Sequence, residues 1–189
     1  MKTVFKQSLV LSVLLIVLFA FVYPLAVSCI AMLAPGQGDG VKLSTNGKVI
    51  GYENIGQKFY STRYFHGRPS AVDYNAAGSA GSNKGPTNPE YLKTVKERID
   101  TFLVHNPEVK RENIPADLVT ASASGLDPDI STDAAYIQIK RISSERNLSE
   151  EQLRILVSQH IEKPLLGLFG PSKVNVLKLN LALDNLSHK

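Results

Sequence analysis

The sequence has no tryptophan and only one cysteine, Cys29. A single cysteine cannot form a disulfide within the chain, so a folded domain must depend on packing and hydrogen bonding. Cysteine-based zinc sites are excluded, and the four histidines include no pair spaced four residues apart that could share a metal from one helix face. We therefore predict no metal site and no resident metal cofactor.

Charged side chains are absent from Leu9 to Leu33, a stretch of 25 residues. A helix of that length is about 37 Å long, against a bilayer core of about 30 Å, so it can span a membrane with some tilt. All 17 acidic and 19 of the 21 basic residues lie at or after Asp39. The chain thus divides into a membrane segment and a soluble domain, whose near-balanced charge gives no support for a nucleic-acid partner.

Two alternatives to an uncleaved anchor fit less well. A signal peptide has an apolar region of about 7–15 residues followed by a small-x-small cleavage motif. Here the apolar region is longer, and Met32 occupies the position that should be small for cleavage after Ala34. A lipid-modified Cys29 would give a lipid-anchored binding protein, but Ala26 replaces the usual leucine of that motif and the apolar stretch continues past the cysteine.

The basic residues around the span predict its orientation. Lys2 and Lys6 precede it, and the first cation after it is Lys42. Because cytoplasmic flanks carry the excess of basic residues, the N-terminus is predicted inside and the domain outside. The sequence therefore predicts a single-pass protein of the cytoplasmic membrane, with a cytoplasmic flank (residues 1–8), a transmembrane helix (9–33), a glycine-rich linker (34–40) and an extracytoplasmic domain (41–189).

Polar and small residues mark the second half of the predicted span. Pro24 removes a backbone hydrogen bond, which a neighbouring helix can compensate. Tyr23 and Ser28 lie close to it in the sequence. The three residues are consistent with packing against another transmembrane helix or with a slightly kinked lone anchor, and the sequence leaves both open.

Three regions of the domain have the pattern of strands. Residues 41–55 are expected to form one or two short strands with a tight turn at Asn46-Gly47. Phe59–Phe65 is rich in aromatic and β-branched residues and is expected to continue the sheet. Leucines at every second position of Val174–Asp184 predict a half-buried terminal strand.

Helix starts are clear in three places. Asn88 followed by Pro89 predicts a core-facing helix that ends near Asn106. Ser131 is expected to cap a second helix, and Ser149 to open a third with a capping box. Together, the elements predict an α+β fold for the single domain of mixed helices and strands.

The loop from Gly67 to Pro89 is unusually long, and 13 of its 23 residues are glycine, proline, serine or asparagine. Such loops in compact domains are functional or disordered. Glycines at 78, 81 and 85 allow positive φ or close backbone approach, which suits a segment lying flat on another protein surface.

Catalytic motifs fit this sequence poorly. Ser122 and Ser124 lie beside a glycine, but no Gly-x-Ser-x-Gly elbow is present, so turn formation explains them better than a membrane-anchored hydrolase. Asp127 and Asp129 alternate like calcium ligands, but the following positions lack the glycine and glutamate that a calcium loop needs. A turn that delivers Ser131 as a helix cap is the better interpretation. No catalytic residue is therefore predicted.

Several segments distributed along the chain form a recognisable set of motifs: Phe65–Ser70, Tyr74–Asn75, Ser79–Pro89, Asp117–Ser122, Ser124–Pro128 and Val174–Asn180. Taken together, these motifs resemble those of the C subunit of the Kdp-type potassium-transporting P-type ATPase. Departures from the family pattern occur at Ala80, Ala123, Asp129 and Pro164.

The resemblance implies an accessory subunit in a bacterial cytoplasmic membrane, without a catalytic aspartate of its own. Its implied partners are a potassium-channel-like subunit and an ATP-hydrolysing P-type subunit, and a small single-helix subunit is left open. The family is described as needed for assembly and as a catalytic chaperone that raises ATP affinity. ATP and potassium thus belong to the complex, and an exported domain could influence nucleotide only through the anchor or through assembly.

The residues expected to contact these partners belong to the Gly67–Pro69, Ser79–Asn88 and Ser124–Asp127 segments. They are Gly67, Arg68, Pro69, Ser79, Gly81, Ser82, Asn83, Gly85, Pro86, Asn88, Ser124, Gly125 and Asp127, with Tyr23, Pro24 and Ser28 for contacts inside the membrane.

Overall fold

The computed structural model describes residues 2–187. The chain divides into two compact units after Lys42. The first contains helix α1 (Lys2–Ala31) and the turns that follow it, and the second contains the mixed α/β fold predicted from the sequence.

Helix α1 is long and apolar enough to cross a membrane. Its turn at Leu18–Val22 is π-helical, and the Tyr23 N–H donates to the Leu18 carbonyl five residues earlier. This wider turn lies directly before Pro24, whose ring would collide with the carbonyl four residues back in a regular helix. The proline is therefore accommodated by a local widening of the helix.

A two-stranded hairpin follows, formed by β1 (Lys42–Thr45) and β2 (Lys48–Tyr52). Asn46 and Gly47 connect the strands with φ values of 52° and 76°. These left-handed values suit a tight hairpin turn, so the turn predicted from this dipeptide is confirmed.

Helix α2 (Pro89–His105) begins and ends where the sequence predicts. At its start, the Asn88 side chain accepts from the Tyr91 N–H at 3.0 Å. Its apolar face, however, is less buried than expected. None of its residues is fully buried, and Leu92 is 52% exposed. The prediction of a core-facing helix was therefore only partly right: Phe102 packs against the core from a half-buried position.

The core surrounds a three-stranded antiparallel sheet of β3 (Asp129–Ser131), β4 (Ile161–Glu162) and β5 (Lys173–Asn175), with β5 in the centre. Four helices complete it: α3 (Thr132–Tyr136), α4 (Ile139–Arg146), α5 (Glu150–Gln159) and α6 (Val176–Ser187). The buried apolar side chains come from all of these helices, and they include Phe65, Ile130, Ala135, Ile139, Ile142, Leu153, Val157, Val174, Leu179 and Leu183.

Local helix signals predicted from the sequence are confirmed. The Ser131 hydroxyl accepts from the Ala134 N–H at 3.1 Å and caps α3. Ser149 and Gln152 form the predicted capping box at the start of α5. These interactions lie within one helical turn, which is why residue order alone predicts them.

The terminal strand predicted over Val174–Asp184 is wrong. Only the first two residues of that range belong to β5, and the chain continues as helix α6. The buried residues Val176, Leu179 and Leu183 follow helical spacing. The Asn175 side chain also accepts from the Lys178 N–H at 3.1 Å, a local bond that favours helix initiation.

The strand predicted at Phe59–Phe65 is also wrong, because side chains take the place of a neighbouring strand. Asn180 on α6 accepts from the Phe65 N–H and donates to the Phe65 carbonyl, both at 2.9 Å. Gln138, just before α4, makes the same pair of bonds to His66, at 2.8 and 3.2 Å. The segment includes a turn at residues 61–64, where the Tyr64 N–H donates to the Ser61 carbonyl at 3.2 Å, and it does not belong to a sheet.

Arg141 on α4 completes this arrangement. Its guanidinium donates to the carbonyls of Thr62 and Tyr64 and to the side chains of Asn106 and Gln138. These four acceptors are neutral, and burial lowers the pKa of Arg141 to about 10. The side chain therefore remains charged at neutral pH and fixes residues 62–64 by charge-assisted hydrogen bonds. We call Gln138, Arg141 and Asn180 the backbone clamp.

Replacing Asn180 by leucine should test the clamp. The variant leaves the buried N–H and carbonyl of Phe65 without partners, so we expect the free energy of unfolding to fall by about 2–5 kcal/mol. The measurement is urea unfolding of the full-length chain in mild detergent, followed by tyrosine fluorescence. Asn185→Leu, at an exposed position of the same helix, should change stability by no more than about 0.5 kcal/mol. Equal effects of the two variants would contradict the clamp.

His66 should make stability depend on pH. Burial, and next the charge of Arg141, lower its pKa to about 4 from an ordinary value of 6.5. As pH falls, the unfolded chain therefore binds a proton at His66 before the folded chain does. The contribution of His66 to the free energy of unfolding is fully present above pH 6.5 and decreases between pH 6.5 and 4.

We expect that loss to be about 1–3 kcal/mol, since the ring is not fully buried. His66→Gln should flatten the profile in this range, whereas His105→Gln, at an exposed position, should leave most of the slope. An unchanged slope in His66→Gln would show that other groups cause it.

Candidate partner-binding surface

The structure brings together parts of all three segments predicted to contact partners. The Arg68 guanidinium pairs with the Asp127 carboxylate at 2.9 Å, and both side chains are about a quarter exposed. The Ser122 N–H donates to the Pro69 carbonyl at 3.1 Å. The Ser79 hydroxyl donates to the Ser124 carbonyl at 2.9 Å. Residues 67–70, 79–81 and 122–127 are therefore held together as one cluster, which we call the tied patch. Ser79 and Ser124 are exposed in it, whereas Ser122, Leu126 and the predicted contact residue Gly125 are buried, so the prediction of Gly125 as a direct contact was wrong.

Ser70 and Tyr74 hold the first part of the loop in place. The Ser70 hydroxyl donates to the Gly125 carbonyl at 2.7 Å and accepts from the N–H groups of Val72 and Tyr74. The Tyr74 hydroxyl donates to the Arg68 carbonyl at 2.5 Å. Burial, and next the negative charge of Asp127, raise the pKa of Tyr74 to about 12, so the hydroxyl keeps its proton. These two residues were absent from the predicted site.

Two glycines are needed for the segments to approach each other. Gly125 has φ of 69°, and a Cβ there would lie 2.8 Å from the Ala80 carbonyl oxygen. At Gly81 a Cβ would lie 2.9 Å from the Ala123 carbonyl oxygen. Gly81 does not have a positive φ, so it serves close approach alone. The loop is therefore packed against the 122–127 segment along its backbone.

The rest of the predicted surface is exposed and lies just before α2. Ser82, Asn83, Gly85 and Pro86 are all exposed, and Asn83 has φ of 51°. Lys84 pairs with Glu90 at 2.7 Å, which lowers the pKa of Glu90. We call residues 82–86 the open segment. The adjacent Asn88 uses its side-chain oxygen to cap α2.

The residues considered for catalysis or calcium binding have structural partners. The Ser122 hydroxyl accepts from the Gly125 N–H at 2.9 Å, and the Ser124 hydroxyl accepts from the Leu126 N–H at 3.1 Å, as the turn interpretation predicts. Asp127 accepts from the Asp129 N–H at 3.1 Å, and the Asp129 carboxylate pairs with Lys173 at 2.6 Å. Among residues 2–187, no group of three or more His, Cys, Asp or Glu side chains could hold a metal.

The residues predicted to pack inside the membrane lie on α1 after its π-helical turn. Tyr23, Pro24 and Ser28 are all exposed. Pro24 and Ser28 are four residues apart and therefore share one face of the helix, whereas Tyr23 is turned away from them.

These features define a class of protein: an α+β domain with a polar, glycine-rich surface, joined to an N-terminal helix apolar enough to span a membrane. The family model described as "KdpC: K+-transporting ATPase, c chain" matches residues 5–185. The chain therefore belongs to the KdpC family, the C subunit of the potassium-transporting ATPase.

Relatives named potassium-transporting ATPase KdpC subunit agree with this assignment. One from Flavobacterium psychrophilum is 57% identical over 186 residues, covering 98% of this chain and all of the relative. One from Bacteroides fragilis is 50% identical over the full length of both chains. One from Caldanaerobacter subterraneus subsp. tengcongensis is 48% identical, covering 94% of this chain and 93% of the relative.

Valine substitutions at two glycines of the loop should differ in effect. At Gly81 the new side chain collides with the backbone of Ala123, so we expect Gly81→Val to lower the free energy of unfolding by about 1–3 kcal/mol. At Gly85 a Cβ would have no heavy atom within 4 Å, so Gly85→Val should change stability by less than about 0.5 kcal/mol. Urea unfolding of both full-length variants measures this, and a stable Gly81→Val would contradict the tied patch.

Proposed function

We propose that this chain is an accessory, non-catalytic subunit that helps a potassium-transporting ATPase to assemble. In this proposal α1 spans the membrane and packs against the larger subunits, while the domain lies on the extracytoplasmic side. The exposed residues of the tied patch and the open segment then form the surface that contacts another subunit. The single observation that carries the proposal is membership of the KdpC family over nearly the whole chain.

The chemistry of the surface supports a contact role over a catalytic one. Ser122 and Ser124 hold turns with their hydroxyls, and Arg68 and Asp127 neutralise each other. An activated nucleophile needs an adjacent base that is itself oriented by a third group. What the surface offers instead is a run of exposed residues around Asn83 and Gly85, next to segments that are hydrogen-bonded to each other.

The basic residues support the orientation. Lys2 and Lys6 lie at the start of α1, and the chain has no further cation until Lys42. This asymmetry favours retention of the N-terminus in the cytoplasm. A domain outside the cytoplasm cannot contact cytoplasmic ATP, so any effect on ATP affinity would act through α1 or through the assembly of the complex.

Inside the membrane, the proposal assigns a contact role to Pro24 and Ser28. Small and polar residues allow helices to approach closely in lipid and to bond across the interface. The π-helical turn before Pro24 also alters the regular ladder of hydrogen bonds in this part of α1. Both features suit packing against a second transmembrane helix.

A reporter fused after the last residue tests the orientation. We expect a reporter enzyme that works only outside the cytoplasm to be active, and one that works only inside to be inactive. Moving Lys2 and Lys6 to the other end of the span should reduce or invert this pattern, which provides the control. Activity of the cytoplasmic reporter in the native sequence would overturn the orientation and restore direct ATP contact as a possibility.

An affinity tag at the same position tests the accessory role. We expect the tagged chain to recover the other subunits in mild detergent, together with potassium-stimulated ATPase activity. The tagged chain purified alone should hydrolyse no ATP. Turnover by the chain alone, abolished by Ser122→Ala or Ser124→Ala, would contradict a non-catalytic role.

A further inference from the structure

An exposed apolar turn connects β4 to β5. It comprises residues 164–170, and we call it the apolar turn. Leu165, Leu166, Leu168 and Phe169 expose 70%, 81%, 81% and 64% of their surface, respectively. Isolated apolar residues on a surface are ordinary, but four large ones within five positions form a patch that marks an interaction site.

The backbone of this turn satisfies much of its own hydrogen bonding. Leu165 and Phe169 exchange N–H to carbonyl bonds, both at 3.0 Å. The N–H groups of Gly167 and Leu168 donate to the carbonyls of Pro164 and Leu165, at 2.9 and 3.1 Å. An apolar medium tolerates backbone only where its polar groups are paired internally. Four of the N–H groups in this turn are already paired in that way.

Charge is distributed as an interfacial segment requires. From Lys163 to Ser172 the sequence contains no acidic residue. Lys163 is exposed at the base of the turn, where an anionic headgroup would attract it. The base is firmly held, because Glu162 and Lys173 are paired across β4 and β5. The apolar side chains are therefore presented from the core sheet.

A protein partner would be recognised differently. Protein interfaces combine a buried apolar centre with hydrogen bonds and a polar rim. Within the apolar turn, leucine, phenylalanine, glycine and proline are the only residue types, and the paired N–H groups are not available to a partner. Lipid acyl chains require no such bonds, so these properties favour a lipid surface.

The membrane is also within reach of the domain. Residues 34–41 connect the end of the predicted span to β1, and eight residues extend to at most about 26–29 Å. The domain is therefore confined to the neighbourhood of the bilayer that α1 crosses. This step rests on the proposal that α1 spans the membrane.

We propose that the apolar turn inserts its leucine and phenylalanine side chains into the interfacial region of that bilayer, giving the domain a second attachment to the membrane. The turn would then restrict the orientation of the domain relative to the membrane plane. In an assembled complex it would also reduce the conformational freedom lost when the domain docks on its partner.

A single tryptophan can report this insertion, because the chain has none of its own. The full-length chain carrying Phe169→Trp is reconstituted into phosphatidylcholine and phosphatidylglycerol vesicles, with or without brominated acyl chains. We expect blue-shifted emission that is quenched by the brominated lipid. Adding Leu166→Asp and Leu168→Asp to this variant should abolish the quenching.

Two control variants separate the possible failures. Tyr60→Trp replaces an aromatic residue of the domain that is 76% exposed outside the apolar turn, and it should remain unquenched. Phe21→Trp places the reporter in α1 and should be quenched if α1 spans the membrane.

Quenching at position 21 without quenching at 169 would overturn the insertion and leave the spanning anchor intact. Absence of quenching at both positions would overturn both. A position-169 spectrum that shifts only after the other subunits are added would show that a protein covers the turn, and this result too would overturn the proposal.

Discussion

The arrangement of the domain depends on the hydrogen bonds that three buried side chains make to the main chain of residues 62–66. This segment places Phe65 in the core without a neighbouring strand. An unpaired buried backbone group there would cost about 1–3 kcal/mol. Gln138 just before α4, Arg141 on α4 and Asn180 on α6 supply the missing partners. The long loop leaves the core directly after this segment, so the clamp determines where the candidate surface begins. Arg68 and Ser70, a few residues later, can then reach the 122–127 segment.

The candidate surface has two parts, which differ in how they are held by the rest of the domain. The tied patch is held by the Arg68–Asp127 ion pair, by a main-chain bond between Ser122 and Pro69, and by serine hydroxyls that bond to main chain. Gly81 and Gly125 permit the close contact. The open segment is exposed, and its ends are held by the tied patch on one side and by the Asn88 cap of α2 on the other. A surface supported in this way can contact a partner without losing much conformational entropy, because most of its backbone is already ordered.

Local signals in the sequence predicted local structure, but they did not predict contacts between residues that are far apart in the sequence. The Asn88, Ser131 and Ser149 caps are confirmed because each involves residues within one turn. The terminal strand was wrong because leucines at alternate positions also place Leu179 and Leu183 on one helical face. Phe65 pairs with Asn180, 115 residues away, and nothing in the local sequence of Phe59–Phe65 indicates such a partner. In the candidate surface, the pair Pro69-Ser70 is typical of a turn. It was the one sequence signal that could have indicated the role of Ser70.

We propose that the loop of this KdpC-family chain contacts another subunit of the ATPase. Photo-crosslinking within the assembled complex tests this contact, with the crosslinking amino acid placed at Asn83 in the open segment. A matched control places it at Glu151, an exposed position on α5. We expect a crosslink from position 83 to a larger subunit and none from position 151. A complex that assembles and hydrolyses ATP normally, but gives no crosslink from any position of the open segment, would contradict the claim.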